Sequence, residues 1–314
     1  MFHGKISKQI AEGLKVFQAR IKKAKIPSSK IDETLNIATW NIREFGKKRR
    51  TEAAIHYIAE ILGQFDLISL VELRDDLTDL GRVLPILGPY WRAVYSDMIP
   101  DAGGNRERIA FLYDKRAVTF TGLAAEANPP RTKKGQEYLS DISWWRSPYL
   151  ASFRSGNFDF VVIAAHIRWG EGETARAGEL RLLAEWIDAK QREKNHEDKD
   201  ILVTGDFNIP GQNDDLFKAI TSKGLAIPRA LRKVTFGTSL AKDKRYDQIL
   251  HYPIYPENFT DQGGVLDFYL DDIKPLFPGL SKEEFTYQMS DHLPLWMQIN
   301  TDIDGQQLDQ IIRG

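Results

Sequence analysis

From residue 35 to about residue 300 the chain keeps returning to one arrangement: a short apolar run, then a turn or a helix-like stretch, then another apolar run. The runs fall near 35–41, 66–71, 90–95, 108–113, 149–154, 158–165, 200–205, 248–252, 264–269 and 294–299. Each has the length of a buried strand and is far short of the roughly 18 to 20 residues that a membrane span needs. Between them, Thr51 can cap a helix whose Ile55, Ile58 and Leu62 share one face, and Leu180, Leu183 and Ile187 mark a second helix within 173–191. Ser155-Gly156-Asn157 between two apolar runs is a hairpin signal. Hairpins join antiparallel strands and helical crossovers join parallel ones, so the combination implies an α/β fold with mixed sheets. No repeat, low-complexity tract or linker divides 35–300, which reads as one domain between an N-terminal arm (1–34) and a C-terminal tail (301–314).

The arm has its own character. Residues 1–30 hold eight bases (Lys5, Lys8, Lys15, Arg20, Lys22, Lys23, Lys25, Lys30) and one acid, Glu12, for a net of +7, which leaves −8 on the remaining 284 residues. Ile6, Ile10, Leu14, Phe17 and Ile21 recur at helical spacing, so the segment is predicted to be an amphipathic helix ended by Pro27-Ser28-Ser29. Two uses are open: a helix packed on the domain with a solvated basic face, or an arm that touches nucleic acid or an anionic surface. The start also lacks the apolar block of a secretory signal, and the expectation is a soluble chain. There is no cysteine, which removes disulfides, thiolate nucleophiles and Cys-ligated zinc, and favours a reducing, cytoplasmic setting.

The informative polar residues fall at the ends of the apolar runs. Asn41 follows LNIATW, Glu72 follows DLISLV, His166 follows FVVIAA, and Asp206 and Asn208 follow ILVTG. Asp247 precedes QILHY, and Asp291 and His292 precede LPLWMQI. If the second group runs antiparallel to the first, all of them meet at one rim. Singly, each has an ordinary reading as a surface ion pair, an Asx turn or a satisfied core histidine. Together they describe a cleft of acids, amides and imidazoles whose burial calls for a cation or a charged ligand. Carboxylate and amide oxygens without thiolate suit Mg²⁺ or Mn²⁺. Two histidines fall short of a three-ligand zinc site unless His56, His196 or His251 joins them. There is no G-x-S-x-G elbow and no Walker A loop, so the reaction this set serves is metal-assisted attack of water on a phosphodiester.

The segments LNIATWNIREFG, FDLISLVELRD, RERIAFLY, VVIAAHIRWG, ILVTGDFNIP, RYDQIL and MSDHLPLWMQI, in this order, resemble the endonuclease/exonuclease/phosphatase superfamily, and most of all its DNase I branch. The resemblance implies a four-layer α/β sandwich, two packed mixed β-sheets flanked by helices. It implies that Glu72 and Asn41 hold the metal, with Asp291 near a second metal position. Asp206 and Asn208 would position water and phosphate. His292, oriented by Asp247, would be the general base, and His166, held by Glu107, would stabilise the phosphate or protonate the leaving group. Arg74 would enter a DNA minor groove, with Arg43 and Arg146 on phosphates and the Lys47-Lys48-Arg49-Arg50 run, otherwise a solvated loop, nearby. Val71 stands where the family usually has glutamine and Asn105 where the branch has a stacking tyrosine.

The expected function is therefore metal-dependent hydrolysis of DNA with little sequence preference. The alternative is a phosphoesterase acting on phosphoinositide, sphingomyelin or other small phosphate esters, although Tyr246-Asp247-Gln248 lacks the Trp-Cys-Asp-Arg of inositol phosphatases. A non-catalytic binding module would require lost ligands, and none of the expected catalytic positions is missing.

Overall fold

A computed structural model describes residues 1–98, 105–139, 143–170, 172–195, 198, 200–211, 214–232, 237–254 and 258–313. The first half runs α1 (Lys8–Lys23), β1 (Thr34–Phe45), α2 (Glu52–Leu62), β2 (Leu67–Leu73), α3 (Thr78–Leu87), β3 (Trp91–Tyr95) and β4 (Arg108–Asp114). Then come β5 (Thr119–Glu126), the short β6 (Thr132–Lys134) and β7 (Glu137–Leu139), β8 (Tyr149–Ser155), β9 (Phe158–His166) and α4 (Glu173–Arg192). The chain closes with β10 (Ile201–Asp206), α5 (Asp215–Thr221), α6 (Arg229–Arg232), β11 (Asp247–His251), β12 (Phe259–Val265), α7 (Lys282–Gln288), β13 (Leu295–Asn300) and α8 (Asp304–Arg313).

One sheet has the order β12-β13-β1-β2-β4-β3 and the other β11-β10-β9-β8-β5. Both are mixed. β1 pairs with β2 in parallel across the α2 crossover, and β9 pairs with β10 in parallel across α4, while the other pairings in these two sheets are antiparallel. The sheets pack face to face through β1, β2, β9 and β10. A buried hydrogen bond of 2.7 Å between Ser69 Oγ and Thr204 Oγ1 ties the two central strands' inner faces. Buried on both sides, these central strands read as continuous apolar runs, which is why they were visible in the sequence. The β8–β9 hairpin turns at Gly156-Asn157, with positive φ at Gly156 and not at Asn157, the pattern of a type II′ turn.

Three expectations change. The strand placed at 264–269 lies earlier, at Phe259–Val265, because the apolar Leu266–Leu270 run is buried as a loop with Leu270 and Asp271 in left-handed conformation. Arg20, counted among the outer bases of α1, is buried and donates to the carbonyls of Phe268 (3.2 Å), Tyr269 (2.8 Å) and Asp272 (2.6 Å), so it satisfies that loop's backbone. β5, which no apolar run announces, is a half-exposed edge strand.

The α1 helix lies on α2. Leu14, Phe17 and Ile21 are buried, and the Phe17 ring stacks on Tyr57 with centroids 5.0 Å apart. Among the described residues no helix is long and apolar enough to cross a membrane.

Candidate active site at the sheet rim

The two sheets bring their chemistry-bearing ends to one rim. Asp206, at the end of β10, pairs in register with His166 at the end of β9 and with Asp247 at the start of β11. Asn41 pairs with Val71, one residue before Glu72. A bulge follows, in which four residues of β1 after Asn41 face two of β2, and it lets the strand ends diverge. Glu72 (φ 63°), Glu44 (φ 44°) and Asn208 (φ 51°) all adopt left-handed backbone. Each such residue costs on the order of 1 to 2 kcal/mol and is retained where the surroundings over-determine it. Gly205 is required by close approach: a Cβ there would lie 2.0 Å from the Ala165 carbonyl oxygen, so only glycine brings Asp206 against β9.

Asp206 is the centre of the arrangement. Its Oδ2 accepts from Asn41 Nδ2 at 3.0 Å and lies 3.7 Å from His292 Nε2 and 3.9 Å from His166 Nε2. Its Oδ1 accepts from the Asn208 backbone at 2.9 Å, and Asn208 Nδ2 donates to the Ile167 carbonyl at 2.7 Å. Each histidine is held from behind by its own carboxylate: His292 Nδ1 is 2.7 Å from Asp247 Oδ2, and His166 Nδ1 is 2.9 Å from Glu107 Oε2. A carboxylate only accepts, so in both rings Nδ1 carries the proton and Nε2 faces the cleft.

Burial alone would lower the His292 imidazole, but Asp247 and then Asp206 outweigh it and raise it well above the usual histidine range. His166 is likewise raised, with Glu107 overcoming the burial. Glu107 goes the other way: burial opposes its charge, but His166, Arg146 and Arg74 hold it down at about 2. Desolvation pushes Asp247 up, against the pull of His292.

Glu72 accepts from Asn41 Nδ2 at 2.9 Å and from the Glu44 backbone at 2.8 Å, and its Oε1 lies 4.0 Å from His166 Nε2. Asn41 Oδ1 is buried and has no hydrogen-bond partner. A buried amide oxygen with no donor is costly, and here it belongs to an amide whose Nδ2 is bonded to the Glu72 and Asp206 carboxylates. The Glu72–Asn41 pair suits a hard divalent cation that keeps part of its water shell. Among the described residues no three His, Asp or Glu side chains close around a common point, as a dehydrated three-ligand site would require. His56 is on α2, bonded to His3 at 2.9 Å, and His251 sits at the far end of β11, so neither extends the imidazole set; His196 lies outside the described residues.

The arginines are placed differently from one another. Arg74, expected in a groove, is a buried residue whose Nη1 stands 3.6 Å from Glu107 and 4.0 Å from Glu44. Arg146 Nε is 2.9 Å from Glu107. Both guanidinium groups therefore brace the carboxylate behind His166. Arg43 is more open: it donates to Thr286 and to the Tyr287 hydroxyl, lies 3.9 Å over the Tyr287 ring, and is 4.0 Å from the partly exposed Asp291. Of the basic run, Lys48 lies 5.0 Å over the Tyr287 ring and Arg49 is exposed. Arg50 is buried, with burial first among the causes that lower it to about 10, and it donates to the carbonyls of Arg43, Glu44 and Lys48. A count of charges could not distinguish this one from its solvated neighbours.

Sequence reasoning also passed over Ser290 and Thr238. Ser290 Oγ donates to the Asn41 carbonyl at 2.6 Å and accepts from the His292 (3.0 Å) and Arg43 (3.2 Å) backbones, which joins the β1 end to the His292 loop. Thr238 Oγ1 accepts from the Asp247 backbone at 3.1 Å. Ser290 had a signal, its place in Ser-Asp-His; Thr238 had none. Asn105, in the position of the branch's tyrosine, is exposed.

Comparison with known proteins adds the following. Residues 38–292 match the model of the Endonuclease/Exonuclease/phosphatase family. A deoxyribonuclease of Thioalkalivibrio sp. (strain K90mix) is 26% identical over 291 residues, 87% of this chain and 72% of that protein. Deoxyribonuclease-1 of Bos taurus is 26% identical over 184 residues, 56% of this chain and 61% of its own length. Among solved structures, a mannosyl-6-phosphatase of Bacteroides thetaiotaomicron VPI-5482 superposes with a TM-score of 0.54 at 19% identity, covering 83% of this chain and 98% of that one.

Proposed function

The chain belongs to the endonuclease/exonuclease/phosphatase family of phosphoesterases, and we propose that within it this protein is a metal-dependent nuclease that hydrolyses DNA with little sequence specificity. One observation carries the reading. Two imidazoles, each fixed by its own carboxylate, bring Nε2 to 3.7 and 3.9 Å from the same oxygen of Asp206, beside the Glu72–Asn41 pair. That is a site for one phosphate group flanked by a proton acceptor and a proton donor.

Glu72 and the Asn41 amide oxygen would hold Mg²⁺ or Mn²⁺, with Asp291 on the open side. When bound, the cation would neutralise phosphate charge, stabilise the leaving oxygen and lower the proton affinity of the imidazoles nearby. The residues do the rest. His292 Nε2 and Asp206 Oδ2 are close enough together to share one water oxygen at hydrogen-bond distance from both, and His292 takes its proton as that oxygen attacks phosphorus. Asp247 holds the ring in the tautomer that makes this possible and stabilises the imidazolium that forms. Asn208 fixes Asp206 through its backbone. His166, whose proton affinity Glu107 raises, donates from Nε2 to a phosphate oxygen or to the departing alkoxide. In this reading Arg43 contacts phosphate, while Arg74 and Arg146 act chiefly through Glu107.

The deoxyribonucleases among the relatives support DNA as the substrate. The net of −8 outside residues 1–30 favours the second reading, a phosphoesterase of small or lipid-linked phosphates. A supercoiled plasmid decides between them. Nicking with Mg²⁺ or Mn²⁺ that stops in EDTA and resumes on metal add-back supports the nuclease. An intact plasmid alongside hydrolysis of phosphoinositide, sphingomyelin or sugar phosphates refutes it.

A further inference from the structure

We propose that Trp145 and Trp169, with Arg168 and Tyr246, form a base-stacking shelf along the β9–β11 side of the active site, and that the enzyme therefore takes DNA with unpaired bases in preference to closed duplex. The inference rests on the nuclease reading above and specifies its substrate class.

Of the seven tryptophans, Trp40, Trp91, Trp144 and Trp296 are buried and Trp186 is half-buried. The two that remain, Trp145 (52% exposed) and Trp169 (66%), both border the catalytic rim. Leaving an indole in water forgoes about 25 cal/mol for each Å² of apolar surface it could bury, so two exposed indoles on segments that carry site residues call for a partner. Neither covers the core.

Both rings are held from behind. Trp169 follows His166 by three residues, and its ring lies 5.6 Å from Tyr246, which in turn lies 5.9 Å from the His292 ring. Arg176, from α4, sits 5.3 Å over the Trp169 ring and donates to the Asn208 carbonyl at 3.1 Å, so the catalytic strand end and the indole share one brace. At the other end, Trp144 is anchored edge-on to Trp186 at 6.2 Å, and the Trp145 backbone donates to Glu179 at 2.5 Å. Trp145 is thereby turned outward next to Arg146, which binds Glu107. The Arg168 guanidinium lies 5.6 Å over the Trp145 ring, and Arg168 is the chain neighbour of Trp169. The result is two groups of aromatic and guanidinium side chains joined by the Arg168-Trp169 step of the chain: Trp145 under Arg168, and Trp169 edge-on (78°) to Tyr246, whose ring is tilted 40° to that of His292.

Aromatic rings interleaved with guanidinium groups suit nucleobases joined by phosphates: the rings stack on bases, and the cations stack too or meet the backbone. A closed duplex cannot use such a shelf, because its base faces are already stacked on one another. Two of the three arginines expected on a duplex are also engaged elsewhere, since Arg74 and Arg146 both turn to Glu107.

The test compares kcat/KM of the full chain and its variants on three substrates: a single-stranded oligonucleotide, the blunt duplex of the same sequence, and a single strand of the same length with abasic tetrahydrofuran residues throughout. The wild type is expected to prefer the single strand to the duplex. Trp169→Ala and Trp145→Ala are each expected to lower kcat/KM on the single strand roughly 5- to 150-fold, mostly through KM, as the loss of one stacked base implies. The abasic strand, which has a backbone but no base faces, should be cut equally by wild type and variants, and Trp169→Phe should restore most of the loss. A duplex preference in the wild type, or the same loss on the abasic strand as on the normal one, overturns the shelf and leaves the nuclease reading standing. If the wild type cuts none of the three yet hydrolyses small phosphate esters, the nuclease reading fails and the shelf with it.

Discussion

Replacing Glu107 by glutamine isolates the ion network behind His166. Glu107 is buried, bonded to His166 Nδ1 at 2.9 Å and to Arg146 Nε at 2.9 Å, with Arg74 at 3.6 Å. Burial opposes its charge, yet His166, Arg146 and Arg74 together bring it from 4.5 to about 2. At about 1.4 kcal/mol per pH unit, that displacement corresponds to about 3 kcal/mol of stability tied to the ionised carboxylate. Because the folded value is depressed, this stability is present above pH 4.5 and is lost as the pH falls from there toward 2. Glu107→Gln removes it and leaves two guanidinium groups and a raised imidazole without their counter-ion, so the loss at pH 7 is expected to be about 3 kcal/mol. The assay is urea denaturation of both proteins at a series of pH values. The difference in unfolding free energy should be constant between pH 5 and 6 and shrink toward zero by pH 2, however many other carboxylates titrate, because they titrate in both proteins. The His166 partner sets a second limit: its raised value means that its share of the pair is lost as the pH rises from 6.5 through that value, so the difference should narrow again on that side. In the same preparation kcat should fall by about two orders of magnitude, since His166 loses the group that fixes its proton. A difference that stays flat from pH 7 to pH 2 would refute the argument, because Glu107 would then carry no depressed titration to lose.

The remaining predictions concern the rim and the arm. His292→Ala and Glu72→Ala should each lower the hydrolysis rate by three orders of magnitude or about that, with unchanged circular dichroism, and a rate within tenfold of wild type in either would remove that residue from the chemistry. Phe17→Ala should cost about 3 to 5 kcal/mol in urea denaturation, because the ring is fully buried, 5.0 Å from Tyr57 and 6.2 Å from Phe268. A cost under 1 kcal/mol would mean that α1 detaches readily and would reopen its use as a nucleic-acid arm.

Much of this was legible in the sequence, for identifiable reasons. Central strands buried on both faces are mostly apolar, so β1, β2, β9, β10 and β13 appear as near-continuous runs broken mainly by uncharged polar residues such as Ser69 and Thr204, and the acids and histidines at the ends of β2, β9 and β10 stand out. The edge strand β5 and the Gly-containing β12 carry no such run and were missed or misplaced. The site residues were legible as types at strand ends, but no local pattern pairs them: Asp247 and Glu107 stand 45 and 59 residues from the histidines they hold, and only the family resemblance joined them in advance. Nor does any local pattern separate Arg20 and Arg50, buried on backbone carbonyls, from the solvated bases beside them.

By itself, then, the sequence determined the class of fold and the inventory of reactive groups, since strand burial and residue chemistry are properties of short segments. Only the tertiary structure decided which groups act on one another. It made Asp206 the meeting point of two imidazoles, gave Asn41 a buried oxygen with no donor, set Arg74 and Arg146 against Glu107, and left Trp145 and Trp169 facing solvent. Those outcomes depend on distances between strands far apart in the chain, fixed by register and by the packing of two sheets, and no stretch of residues encodes such a distance alone.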